Sequence, residues 1–261
     1  MAEKFYIKHP YLASILLTIT MMLITIAGNA VVFANHVEKA LDGGGQYGGI
    51  YYLVLTLTNI ICIIIAVCLI KKHDWSFSTF GFQSIISDSA KKTLYFIPLI
   101  IEILFNVIAS GMNIQLSPLL ILIIFIFTIS VGFTEEMYYR GFVFKYLSRF
   151  GIKKAIIISS IIFGIVHLAT AFRGDNMLEV ILRIFFAFMF GVVCAEIFCI
   201  TRSLWSIIIF HCLHDFVSYV INPSIQLNIA GISASNMLLI FEILDFLIIA
   251  VYSLYLWKKI K

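Results

Sequence analysis

The sequence predicts an all-α, polytopic membrane helix bundle of about eight transmembrane helices. Three observations predict it. Of 261 residues, 62% are hydrophobic and 12% are charged, whereas soluble domains sit nearer 45–50% and about 25%. The apolar residues form long runs divided by short polar segments. Lysine and arginine are shared unequally between those segments.

The runs are residues 12–35, 50–70, 93–110, 117–144, 154–172, 177–200, 203–221 and 236–257. Each is near or above the ~20 residues that cross ~30 Å of hydrocarbon. The first run lacks a small-residue cleavage site, so a removable signal peptide is not expected. No soluble domain and no internal repeat are visible.

Charge placement sets an expected orientation. With the N-terminus inside, the inner segments hold Lys4, Lys8, Lys71, Lys72, Lys91, Lys92, Lys145, Arg149, Lys153, Lys154, Arg202, Lys258, Lys259 and Lys261. The outer loops hold only Lys39 and Arg173, and Arg140 and Arg183 lie within spans. This bias predicts cytoplasmic N- and C-termini. Because placement matters more than the sum, the net charge of +4 is no argument for nucleic acid as a partner. Isoleucine and lysine usage points to an AT-rich bacterial genome, and hence to a bacterial plasma membrane.

Two connecting segments stand out. Asp42-Gly43-Gly44-Gly45-Gln46-Tyr47-Gly48-Gly49 is glycine-rich but lacks the Lys-Ser/Thr of a phosphate loop, and reads as a flexible tether. Lys71 to Lys92 carries Trp75, Phe77, Phe80 and Phe82 among polar residues and reads as an interfacial anchor. The five cysteines all fall in apolar runs without zinc-type spacing, and read as buried thiols.

The fourth span carries Thr134-Glu135-Glu136-Met137-Tyr138-Tyr139-Arg140-Gly141. Each charge near a bilayer centre costs about 2.5–3.5 kcal/mol on insertion scales. Adjacent helical residues differ by about 100° in direction and residues four apart by about 40°. Glu136 and Arg140 therefore share a face and are expected to pair, while Glu135 points elsewhere. The fifth span carries His167. The seventh carries His211 and Asp215 on one stripe, with His214 beside it.

Counting ~1.5 Å per residue from the flanking basic residues puts Glu135 about 15 Å, His167 about 20 Å and His211 about 14 Å from the inner surface. Convergence on one water-filled pocket avoids several separate burial costs. A carboxylate and imidazoles around a water are the equipment of hydrolysis. Glu102, Glu196, Glu242 and Asp245 also lie in spans, and Glu179 and Arg183 are spaced to pair. Polar helix contacts are the simpler reading of each.

Glu135-Glu136-x-x-x-Arg140, Phe163-x-x-x-His167 and His211-x-x-x-Asp215, in that order and each in its own span, resemble the motif set of the CPBP intramembrane proteases. That group contains the CAAX-prenyl proteases and bacteriocin-processing or immunity membrane proteins, also called the Abi family. The resemblance covers about residues 117–221, and the stretch from Gly191 through Ser203-Leu204-Trp205 to His211 shares it. It implies a CAAX-protease-like core in which Glu135 activates water, assisted by His167. It implies further that His211 and Asp215 stabilise the oxyanion, that Glu136 and Arg140 shape the pocket, and that the site opens to the cytoplasmic side. Asp215 stands where the prenyl-protease branch has Asn. An ionised Asp would repel an oxyanion, so it is protonated, orients His211, or ligates a metal.

The expected organisation is N-terminal helices over 1–110, a catalytic core over 111–225 and a final transmembrane helix over 226–261. The expected function is an intramembrane endopeptidase acting on a peptide or membrane-associated protein, such as a bacteriocin or secreted-peptide precursor. Prenylated substrates are not expected of a bacterial chain. Partners are that substrate and the lipid bilayer, with no oligomeric state specified. A metal-free mechanism is favoured because no His-Glu-x-x-His helix occurs. Zinc held by Glu135, His167, His211 and Asp215 is the alternative. The rival functions are a non-catalytic immunity or scaffold protein using the same pocket, and a proton-coupled transporter using Glu102, Glu242 and Asp245.

Overall fold

The computed structural model describes residues 4–42, 47–83, 90–110, 113, 115–173, 177–221 and 234–260. Gly43 to Gln46 of the glycine-rich tether, residues 84–89 of the anchor segment, and the side chains of Lys91, Arg173 and Glu242 lie outside that description.

The described elements are helical. They run α1 (Phe5–Lys8), α2 (Pro10–Ala34), α3 (Gly49–Lys72), α4 (Phe77–Phe80), a 3-10 turn (Ala90–Phe96) into α5 (Ile97–Ser110), α6 (Pro118–Glu136), α7 (Phe144–Leu147), α8 (Ile152–Val166), α9 (Met177–Thr201), α10 (Leu204–Val220) and α11 (Ala234–Trp257). Five helical stretches are long and apolar enough to cross a bilayer: 10–34, 49–72, 118–150, 152–171 and 177–201. Three shorter apolar helices, 94–108, 204–220 and 243–257, stand where the third, seventh and eighth runs were read. The chain is a multi-pass helical membrane bundle.

Local chemistry explains where the central helices start and stop. Ser117 caps α6, its Oγ accepting the Leu120 N–H at 3.1 Å, and Pro118 takes the first helical position, where no amide is needed. The fourth run, read over 117–144, is one helical stretch whose coil changes along its length. α6 ends at Glu136 and continues as a π-helical segment over Met137–Val143, then α7 and a 3-10 turn to Phe150. The fifth run, read over 154–172, is α-helical only to Val166 and tightens to a 3-10 helix from His167. Hydropathy registers apolar length, and these coil changes leave it untouched.

Close approach of α6 and α10 positions everything that follows. The two run antiparallel: Phe125 meets Phe216, Thr128 meets Cys212, and Phe133 meets Trp205. Gly132 sits at the crossing. A Cβ there would stand 3.1 Å from the Ile208 carbonyl oxygen and 3.4 Å from the Cys212 nitrogen. Small residues of this kind let membrane helices touch backbone to backbone. On the other side of α6, the Asn59 amide of α3 donates to Ser130 Oγ at 3.0 Å, and Thr134 Oγ1 donates to the Asn59 carbonyl at 3.2 Å.

Part of the anchor segment packs into the bundle. Phe80 is buried, with its ring 4.7 Å from Phe142. It fills the space over Gly141, where an added Cβ would lie 2.2 Å from Phe80 Cζ. The backbone of Gly81 accepts from Leu204 N at 2.7 Å, tying this segment to the start of α10.

The segments read as inner also meet in space. Lys4 pairs with Asp74 at 2.8 Å, Lys145 donates to the Thr79 carbonyl at 2.8 Å, and Arg149 reaches the Ile7 carbonyl. His73, just past α3, contacts the Tyr146 hydroxyl at 2.9 Å. Burial, and then the charges of Lys4 and Lys72, hold its pKa below the ordinary imidazole value.

Gly132→Val is expected to force α6 and α10 apart and cost about 1–3 kcal/mol. A lowered unfolding temperature in detergent checks this. Ala at exposed Ile126, on the same helix, should leave it nearly unchanged.

Candidate active site

One turn beyond Gly132, α6 presents Glu135 and Glu136 to His211 of α10. The two adjacent carboxylates have different surroundings. Glu136 is fully buried and accepts from Arg140 Nη1 at 2.9 Å, the pairing that their four-residue spacing predicts. The guanidinium of Arg140 lies 4.5 Å above the Phe163 ring of α8. Glu136 Oε1 also faces His211 Nδ1 at 2.7 Å. A carboxylate oxygen that already accepts from Arg140 accepts here too, so Nδ1 carries the proton. The ring is thereby oriented with Nε2 turned away from the pair.

His211 Nε2 faces the other two carboxylates. Glu135 Oε2 is 3.7 Å away and Asp215 Oδ2 is 3.5 Å away. These are ion-pair distances, longer than a good hydrogen bond. The side chains of Glu135 and Asp215 keep 25% and 24% of their surface accessible, against 0% for Glu136 and 1% for Arg140. Glu135 and Asp215 are therefore the acids that keep accessible surface, whereas the Glu136–Arg140 pair is interior.

His167 stands on the same wall through Phe163. Its ring centroid is 5.0 Å from that of Phe163, which is itself 6.2 Å from His211. His167 Nδ1 lies 2.9 Å from the Phe163 carbonyl. A carbonyl only accepts, so Nδ1 donates, and in the neutral ring Nε2 keeps its lone pair. The turn from α to 3-10 at His167 leaves this nitrogen one residue past the regular helix.

The π-helical segment supports the group. All seven of its residues are buried. Bonding to the fifth residue makes a wider coil, and its consecutive side chains reach different neighbours. Tyr138 donates to the Cys62 carbonyl of α3 at 3.1 Å, while Tyr139 packs edge-on against Phe163 at 4.9 Å.

Sequence reasoning set His214 beside the His211–Asp215 stripe but did not bring Glu102 or Asn106 to this cluster. His214 Nε2 lies 3.5 Å from Glu102 Oε1 of α5, and His214 Nδ1 lies 3.5 Å from Asp215 Oδ1. Asn106 Nδ2 donates to the same Glu102 oxygen at 2.9 Å. Asp215 is thus flanked by two imidazoles. The signal available beforehand was a glutamate in an apolar run, which did not reveal its partner. Glu196 is buried in α9, and Asp245 is buried in α11.

Among the described residues, no group of three or more His, Cys, Asp or Glu is disposed to hold one metal ion. The imidazole of His211 is instead shared between the Glu136 carboxylate and the Glu135–Asp215 pair.

Residues 117–217 match the type II CAAX prenyl endopeptidase family, Rce1-like. The match takes in both glutamates, Arg140, His167, His211, His214 and Asp215, and leaves α5 with Glu102 outside it. It agrees with the CPBP protease resemblance carried by the three motifs. No curated protein and no solved structure matches the chain.

Arg140→Met strands the buried Glu136 and is expected to destabilise the fold by about 3–5 kcal/mol. Adding Glu136→Gln to that variant removes the stranded charge and should recover part of the loss. Unfolding curves of the wild type, both single variants and the double variant in detergent check the recovery.

Proposed function

We propose that the chain is an intramembrane endopeptidase that hydrolyses peptide bonds with water activated by a glutamate. The observation that carries this reading is the unequal pair of glutamates around one imidazole. Glu136 is sealed against Arg140 and His211 Nδ1, while Glu135 is accessible beside His211 Nε2. The family match over residues 117–217 supports a protease of the CAAX type.

In this mechanism Glu135 accepts a proton from a water as it attacks the substrate carbonyl. The lone pair on His167 Nε2 helps hold that water. His211, oriented by Glu136 through Nδ1, offers an Nε2–H donor to the developing oxyanion. Asp215 positions His211 and supports its protonated form through the 3.5 Å contact. Glu135 then returns its proton to the leaving amine. The Glu136–Arg140 pair keeps the wall rigid. The group works in a low-dielectric interior, where such contacts are stronger than in water.

The substrate in this proposal is a peptide or membrane-associated protein segment, such as a secreted-peptide or bacteriocin precursor. The bias of lysine and arginine supports cytoplasmic termini and entry from the cytoplasmic side.

The decisive experiment is cleavage of a peptide library, with prenylated and unprenylated members, by purified protein. Glu135→Ala is expected to lower turnover by at least about 100-fold, within the range of a removed general base, with an unchanged unfolding temperature. His167→Ala and His211→Ala are expected to lose activity too, and chelator to leave the wild type active. Full activity in Glu135→Ala sinks the mechanism. Loss with chelator that zinc restores replaces it with a metal-dependent one. A cellular phenotype that survives Glu135→Ala favours the immunity or scaffold function.

A further inference from the structure

Away from the glutamate cluster, two clefts are linked through Tyr252 and Tyr255 of α11, which contact Tyr95 and Lys259. The first, of about 390 Å³, is lined by Tyr95, Ile152, Cys199, Ile200, Arg202, Lys259 and Ile260. It sits where four elements end together: the start of α8, the end of α9, the tail of α11 and the turn leading into α5. Its charged lining is wholly basic. Arg202 is exposed and holds φ at +58°, in the left-handed region that side chains other than glycine rarely adopt. Lys259 is exposed and stands 5.3 Å over the Tyr255 ring. Among the described residues, no carboxylate lines the cleft.

The second cleft begins at that same Tyr255. It has a volume of about 460 Å³ and is lined by Pro98, Leu247, Ile248, Val251, Tyr252 and Tyr255. Its walls are α5 and α11, bridged by Tyr252, whose hydroxyl donates to the Tyr95 carbonyl. Tyr95 in turn lines the basic cleft. From Leu247 to Tyr255 is about 12 Å of helix, most of the ~15 Å hydrocarbon depth of one leaflet. A compact basic pocket therefore opens onto an apolar groove of acyl-chain dimensions. Lys153 over the Trp257 ring at 5.3 Å adds a cation and an aromatic residue from the same end of the bundle.

The geometry points to a binding site for an anionic phospholipid, with its phosphate between Arg202 and Lys259 and one acyl chain along the α5–α11 groove. A zwitterionic lipid fills the groove equally well but brings its own cation to the basic pocket. A free phosphate ion meets the pocket and leaves the groove empty. The combination selects a lipid with net negative charge. This site is independent of the proposed hydrolysis.

The test is titration of the purified full chain in detergent with phosphatidylglycerol, phosphatidylcholine or inorganic phosphate, read by native mass spectrometry and by the shift in unfolding temperature. Phosphatidylglycerol is expected to bind and stabilise, while phosphatidylcholine and inorganic phosphate bind at least tenfold more weakly. K259Q, at an exposed position beyond the end of α11, should weaken phosphatidylglycerol about fivefold, and R202Q/K259Q about thirtyfold. V251W, filling the groove, should weaken it as well. K71Q/K72Q removes two exposed charges elsewhere and should leave affinity unchanged. Equal binding of the two lipids, phosphate binding as tight as the lipid, unaltered affinity in K259Q, or an equal loss in K71Q/K72Q would each overturn the site.

Discussion

The buried contact of Glu136 with Arg140 and His211 is the constraint on which the rest of the site depends. A carboxylate with no accessible surface, deep in an apolar bundle, is tolerable only when its charge is matched. Arg140 supplies the opposite charge one turn along, and Phe163 covers the guanidinium. The same carboxylate oxygen then fixes His211 at 2.7 Å. One interior ion pair thus converts a burial cost into the orientation of an imidazole. The Nε2 of that ring faces Glu135 and Asp215, whose side chains keep accessible surface.

Backbone contact makes this constraint possible. Without Gly132 the α6 and α10 backbones could not come this close, and the 2.7 Å contact one turn away would open. The π-helical segment plays a related part, turning Tyr138 toward Cys62 of α3 and both Tyr139 and Arg140 toward Phe163 of α8. Phe80 then closes the surface over Gly141, so a segment that reads as an interfacial anchor contributes a buried wedge.

Successive turns of α5 have different associations. Glu102 reaches His214 and so extends the polar cluster past the matched residues, to a helix that shares none of the three motifs. Pro98, one turn earlier, lines the apolar groove beside α11. Packing rather than motif membership brings this helix to both places.

The bundle architecture was legible in the sequence because apolar length and charge bias act over whole segments. Eight runs became eight helical stretches. The Glu136–Arg140 pair was legible too, since i,i+4 spacing on a helix is local geometry. The switch to a π coil at Met137 and to a 3-10 coil at His167 was not, because both depend on neighbours packed from elsewhere in the chain. Nor was the setting of Asp215. Sequence left it as an oxyanion donor, an orienting group or a metal ligand, and only the fold put it between His211 and His214. The meeting of Glu102 with His214 is of the same kind. It joins residues 112 apart in the chain, a proximity that tertiary packing decides and that no pattern within one helix records.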